Sequence, residues 1–206
     1  MRSPVKYSSY AELKQHECEG RDYSIKLRHG RSGILVIAPH GGNIEPGCSE
    51  IADAVAAKEH SFYALEGLKP AGNWNLHIAS THFDEPVCMK ALGNARRVLT
   101  IHGCKDEAEI VYLGGTDHSL RETVKKSLET SGFATGVRDG IQGRSELNLC
   151  NRSSSGRGVQ LEIAFALRSK MFANLKLDGR RHKTEVFNHF VAALRDALAE
   201  GGGQKT

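Results

Sequence analysis

Two stretches of this chain end an apolar, β-branched run on a histidine followed by glycine: VIAPHGG at residues 36–42 and VLTIHGC at residues 98–104. Runs of this kind, alternating along the chain with helical patterns, are the signature of an α/β domain, and they predict a mixed β-sheet flanked by helices. In open α/β sheets, binding groups collect beyond the carboxyl ends of the parallel strands. His40 and His102, each closing a strand, are therefore placed to converge on one crevice.

The remaining pattern predicts strands over 23–27, 33–38, 61–65, 76–79, 97–101, 110–113, 134–137 and 158–164, and helices over 46–58, 86–94, 117–131 and 183–200. The 117–131 helix carries Leu120, Val124 and Leu128 at four-residue spacing, with Thr116 as its cap and Gly132 as its stop. In the last helix Val186, Phe190, Val191, Leu194 and Leu198 form an apolar stripe expected to lie across the sheet, with Lys183, Glu185 and Arg195 outward. A single domain over 1–200 with an unstructured tail over 201–206 follows from length and from the terminal glycines. The irregular stretch 140–157, rich in Gly, Ser, Asn and Arg, is long for a compact domain, and such loops are often functional.

Composition removes several classes. No stretch approaches the length of a membrane span, and the first twenty residues lack the apolar centre and cleavage site of a secretory leader. A cytoplasmic protein, or one released by lysis, is expected. The net charge of +4 comes without a dense Lys/Arg cluster, so nucleic acid is not an expected partner, nor is a membrane, and a monomer is expected. The five cysteines are odd in number and none lies within fifteen residues of another, which argues against a disulfide framework or a paired-cysteine zinc knuckle.

Neutral imidazole is the commonest metal ligand, and a catalytic zinc site needs a third protein donor. Glu45 is the nearest carboxylate, five residues past His40 across the Gly-Gly turn, with Pro46 suited to the first turn of a helix. Two nitrogens and one carboxylate leave a fourth position for water, whose pKa zinc lowers toward ~7. Glu162 lies inside the apolar run GVQLEIAFAL; a carboxylate there must face a polar cavity or stay protonated, and a raised pKa beside such a water is what a general base needs.

At these residues the chain resembles the phage and bacterial poly-γ-glutamate hydrolases, a branch of the zinc carboxypeptidase-like fold. The matching stretches include YSSYAELKQHECEGRDYSI, VIAPHGGNIEPGCSEIADAVA, LHIASTHFDEP, VLTIHGC and NLCNRSSSGRGVQLEIAFALR, in order from about residue 7 to 168. The resemblance implies a zinc carboxypeptidase-like (phosphorylase/hydrolase-like) three-layer sandwich. It also implies one Zn2+ per chain held by His40, Glu45 and His102, with Glu162 as the catalytic carboxylate. His40 and Glu45 enclose four residues, where larger zinc carboxypeptidases place two, so an ordinary protein substrate does not follow. Arginine forks suit substrate carboxylates. Arg152 is the candidate by resemblance, with Asn151 beside it, and Arg96, Arg138, Arg144 and Arg157 are further cations.

The implied reaction is hydrolysis of γ-glutamyl amide bonds in poly-γ-glutamate. Rivals are another zinc amidase acting on peptidoglycan fragments, γ-glutamyl peptides or N-acyl amino acids, and a non-catalytic nucleic-acid-binding protein. His60, His77, His118, His182 and His189 read as surface or satisfied histidines, and Asp84 as the cap of the helix near Pro86. Cys104 reads as a buried apolar group, and Trp74 as either a substrate platform or core filling.

Overall fold

The computed structural model describes residues 6–202. A seven-stranded mixed sheet forms the middle layer, comprising β1 (Tyr23–Arg28), β2 (Ile34–Gly42), β3 (Ser61–Gly67), β4 (Arg97–Cys104), β5 (Ile110–Gly115), β6 (Ala134–Gly136) and β7 (Val159–Ala164). Their order is β1-β3-β2-β4-β7-β5-β6. The central β3, β2, β4 and β7 run parallel, and β1 and β5 join antiparallel to them. Every residue of β2 is buried, because helices cover both faces of the sheet there.

Alternation along β2 divides the core. Ile34, Val36 and Ala38 face a cluster closed by α2 (Cys48–Ala56), α4 (His118–Thr130) and α6 (Glu185–Gly202). Leu35 and Ile37 face the other, closed by α1 (Tyr10–His16) and α3 (Pro86–Asn94). A short helix, α5 (Phe165–Lys170), follows β7 directly. The result is the expected three-layer α/β sandwich. Fully burying one Leu, Ile or Val contributes about 1.5–3 kcal/mol, so the two faces of β2 anchor both layers. Among the described residues, no helix is long and apolar enough to cross a membrane.

Several local expectations are corrected. Residues 76–79 form no strand: Asn73–Leu76 is a 3-10 turn, and the segment after it makes turn and loop hydrogen bonds, His82 N–H to the Ala79 carbonyl and Leu149 N–H to the Ser80 carbonyl. Helix α2 begins at Cys48, not Pro46, because Gly47 takes a left-handed φ of 96°. Asp117, not Thr116, caps α4 by accepting from the Leu120 N–H at 3.1 Å. Glu85, not Asp84, caps α3, accepting from Val87 and Cys88 N–H, while Asp84 accepts from the Tyr10 N–H. Helix α6 buries Phe187, Phe190, Leu194 and Leu198 in the core cluster that it shares with α2, α4 and the strands. The helix runs through Gly201 and Gly202, and the rest of the expected tail lies outside the described residues.

Candidate active site

The site is made where β2 and β4 part. Their ladder ends at the pair Ile37 and Thr100, and Pro39 has no N–H to extend it. The register against β3 also shifts between Ala38 and Gly41. His40 and His102 fill the gap with rings edge to face, centroids 5.0 Å apart and Nδ1 atoms 3.2 Å apart.

The two glycines after His40 have a steric reason. Gly42 has a φ of 61°, and a Cβ there would stand 2.6 Å from the Gly67 carbonyl oxygen of β3. Only glycine lets the chain run this close to its neighbour. The turn then folds back: the Gly42 N–H donates to Ser49 Oγ at 3.1 Å, and the Glu45 N–H donates to the His40 carbonyl at 2.9 Å. This brings the Glu45 carboxylate onto the strand ends.

Glu45 is 5% exposed. Its Oε2 accepts from the Gly103 N–H at 2.8 Å and lies 3.4 Å from His40 Nδ1 and 3.7 Å from His102 Nδ1. Burial alone would push this carboxyl up, but the adjacent His40 and His102 imidazoles outweigh it and hold it well below the ordinary carboxylate range. A buried anion in such a setting calls for a positive charge among its neighbours.

His40 Nε2 lies 2.8 Å from the Ile78 carbonyl oxygen. A carbonyl only accepts, so Nε2 donates to Ile78 and Nδ1 is the ring atom that faces Glu45 and His102. Such a main-chain partner is what fixes the tautomer of a metal-ligating histidine. On the far side of His102, Nε2 lies 3.4 Å from Ser80 Oγ. Around tetrahedral zinc at ~2.0–2.1 Å, neighbouring donor atoms stand ~3.3 Å apart. The His40–His102–Glu45 triangle, with edges of 3.2, 3.4 and 3.7 Å, is close to that spacing, so these three residues fit the ion.

A third histidine stands at the site. His77, read from sequence as surface or satisfied, stacks on His40 with centroids 3.8 Å apart and lines the pocket. Its Nε2 is 3.8 Å from Glu45 Oε1, and His40, Glu45 and His77 each bring a donor atom within 4.8 Å of the others. This looser group matches zinc less well than the triangle with His102. The 3-10 turn eclipses side chains three apart, which explains why Trp74 stacks behind His77 at 4.2 Å. Tryptophan and histidine at that spacing in NWNLH were the available signal.

Glu162 is the register partner of His102 across β4 and β7, so the two side chains leave the same face of the sheet. Gln160 Nε2 donates to Glu162 Oε1 at 3.3 Å and to the Ile141 carbonyl at 2.9 Å, while Asn148 Nδ2 donates to Gln160 Oε1 at 3.1 Å. The 140–157 loop thus forms a wall beside Glu162. Together these groups line an open cavity of about 690 Å³ whose rim carries Lys105 and Arg138.

The other named residues divide between the cavity and the rest of the fold. Arg152 donates from Nη1 to the Phe83 carbonyl at 2.6 Å and is not part of the cavity wall. Asn151 is 3% exposed and occupied: it donates to the Gly143 and Ser145 carbonyls and accepts from the Thr116 N–H and hydroxyl. Arg96 sits before the first residue of β4, at the opposite end of that strand from His102, beside the Ser32 carbonyl. Arg138 is at the rim, paired with Asp106 at 3.1 Å. Cys104 lines the cavity with its thiol pushed up by burial to about 11.

This fold, with its histidine and carboxylate cluster at the carboxyl ends of parallel strands, defines an α/β protein of zinc carboxypeptidase-like architecture. The sequence matches the model of the poly-gamma-glutamate hydrolase family over residues 7–193. It is 38% identical over 192 residues to the UPF0714 protein YndL of Bacillus subtilis (strain 168), covering 91% of this chain and 75% of YndL. The structure of a bacteriophage poly-gamma-glutamate hydrolase superposes with a TM-score of 0.94 at 32% identity, covering 98% of this chain and all of that one. The zinc-free apo form of YndL superposes with a TM-score of 0.91 at 35% identity, covering 96% and 98% of the two chains. The chain belongs to the poly-gamma-glutamate hydrolase family.

Proposed function

We propose that this chain is a zinc-dependent hydrolase that cuts γ-glutamyl amide bonds of poly-γ-glutamate. The observation that carries the reading is the convergence of His40 Nδ1, His102 Nδ1 and Glu45 Oε2, with Glu162 on the same cavity wall. That the YndL structure is a zinc-free apo form supports the choice of metal. When bound, zinc supplies Lewis acidity, lowering the pKa of a water toward ~7 and polarising an amide carbonyl.

The chain's own residues do the rest. His40 is held in the ligating tautomer by the Ile78 carbonyl, and Glu45 is oriented by the Gly103 N–H. Glu162 takes the proton of the attacking water and returns one to the leaving amine, with Gln160 fixing its carboxylate. Lys105 and Arg138, at the rim, meet the free carboxylates that a γ-linked polymer presents once per residue. Arg152 and Asn151 lie outside the cavity lining, and Asn151 is occupied by loop contacts, so we assign the substrate carboxylates to the rim cations instead.

Incubation of the purified chain with poly-γ-glutamate, following polymer size, tests the reading. Hydrolysis is expected with zinc and is lost on chelation. Replacing Glu162 with Gln lowers the rate by ~10² to 10⁴ while zinc stays bound. Undiminished activity of E162Q discards the base, and undiminished activity of the chelated protein discards the metal.

A further inference from the structure

One guanidinium ties together the three segments that carry the candidate residues. Arg168, on α5, is 4% exposed. Its Nε donates to the Ile163 carbonyl at 3.1 Å, Nη1 to the Pro46 carbonyl at 2.5 Å and Nη2 to the Cys104 carbonyl at 3.3 Å. Ile163 adjoins Glu162, Pro46 adjoins Glu45, and Cys104 is two residues past His102. Each described hydrogen bond of this buried cation ends on a main-chain carbonyl, so its positive charge and its planar fork are spent on strand geometry and not on a carboxylate partner.

The fork also presses on Gly103. A Cβ at that position would stand 2.6 Å from Arg168 Cζ and 2.8 Å from Nη2, so glycine is required for the contact. The Gly103 N–H in turn holds Glu45 Oε2 at 2.8 Å. The structure places Arg168 beneath the segments that carry Glu45, His102 and Glu162.

We infer that Arg168 is a positioning residue, acting through the Pro46, Cys104 and Ile163 carbonyls to set the separation of Glu45, His102 and Glu162. The inference rests on the zinc reading above. Lysine keeps the charge but loses the planar fork that spans three acceptors, so Arg168→Lys separates geometry from charge. Outer partners of ligating groups typically change metal affinity or activity 10- to 100-fold when altered.

The test is zinc affinity by chelator competition, with kcat and KM on poly-γ-glutamate at saturating zinc, for wild type, R168K, G103A and the core variant L128A. R168K is expected to weaken zinc binding about 10- to 100-fold and to lower kcat with KM within about twofold. G103A, which pushes on the same guanidinium, shifts zinc affinity in the same direction and decides the matter where R168K does not fold. L128A, which removes buried contacts between α4 and its neighbours far from the cluster, lowers Tm and leaves zinc affinity unchanged. Wild-type zinc affinity in folded R168K or G103A overturns the positioning role. A wild type that binds no zinc overturns the metal reading itself, and with it this inference, and is distinguished by failing before any variant is compared.

Discussion

Replacing Gly42 with alanine isolates the contact that lets the strand end turn back on itself. Gly42 has a φ of 61°, and a Cβ would meet the Gly67 carbonyl oxygen at 2.6 Å and the Gly67 nitrogen at 2.9 Å, both main-chain atoms that cannot rotate away. The left-handed backbone alone costs a non-glycine residue about 1–2 kcal/mol. Crowding of a packed region adds about 1–3 kcal/mol. Gly132 provides the comparison: its φ is 84°, but a Cβ there meets nothing within 4 Å. Thus G132A is expected to lose only the backbone part, about 1–2 kcal/mol, and G42A about 3 kcal/mol in total. For a chain of this size each kcal/mol lowers Tm by about 2–4 °C, so G42A should melt about 6–12 °C below wild type. Urea unfolding at equilibrium measures both variants. Because Gly42 begins the turn that carries Glu45, G42A also weakens zinc binding, whereas G132A does not. Equal stability losses in the two variants would refute the steric account of the Gly-Gly pair.

Three further outcomes follow from the same structure. Cys18 is exposed while Cys48, Cys88, Cys104 and Cys150 are buried, and burial pushes the Cys104 thiol to about 11 and Cys150 to about 12. Alkylation of the native protein at pH 8, read by peptide mass mapping, should therefore label Cys18 first; Cys104 labelled as fast as Cys18 contradicts the burial argument. Glu17 is held below the usual carboxylate range: burial pushes it up, but Lys69 and the Tyr7 hydroxyl outweigh that. Its stabilisation is complete above the unfolded pKa of ~4.3 and is lost as pH falls through the lower folded value, so E17Q should flatten the acid limb of the stability–pH curve and leave its slope above pH ~6 unchanged. A variant curve parallel to wild type in acid removes Glu17 from that role. H40N should lower zinc affinity, and the same affinity as wild type in a folded H40N would count against the Ile78-fixed imidazole as a donor.

The strand-end histidines were legible because each closes an apolar run long enough to specify a buried strand, and parallel-sheet geometry then puts both at one end. Glu162 was legible for the opposite reason, as a charge where only apolar residues belong. Helix α1 was not, since YAELKQH offers only Tyr10 and Leu13 to the core, and α5 follows β7 without a breaker. His77 escaped because its place depends on a 3-10 turn whose side chains stack at a spacing that strand and helix patterns do not test. The roles of Arg152, Asn151 and Arg168 depend on which carbonyls lie within reach, and a carbonyl's position follows from chain packing that no single side chain encodes.

Zinc content per folded chain, measured by elemental analysis after dialysis for wild type, H102A and H77A, tests the central claim most directly. One ion per chain in wild type and H77A, with loss in H102A, is the predicted result. Retention in H102A with loss in H77A, or no zinc in wild type, contradicts it.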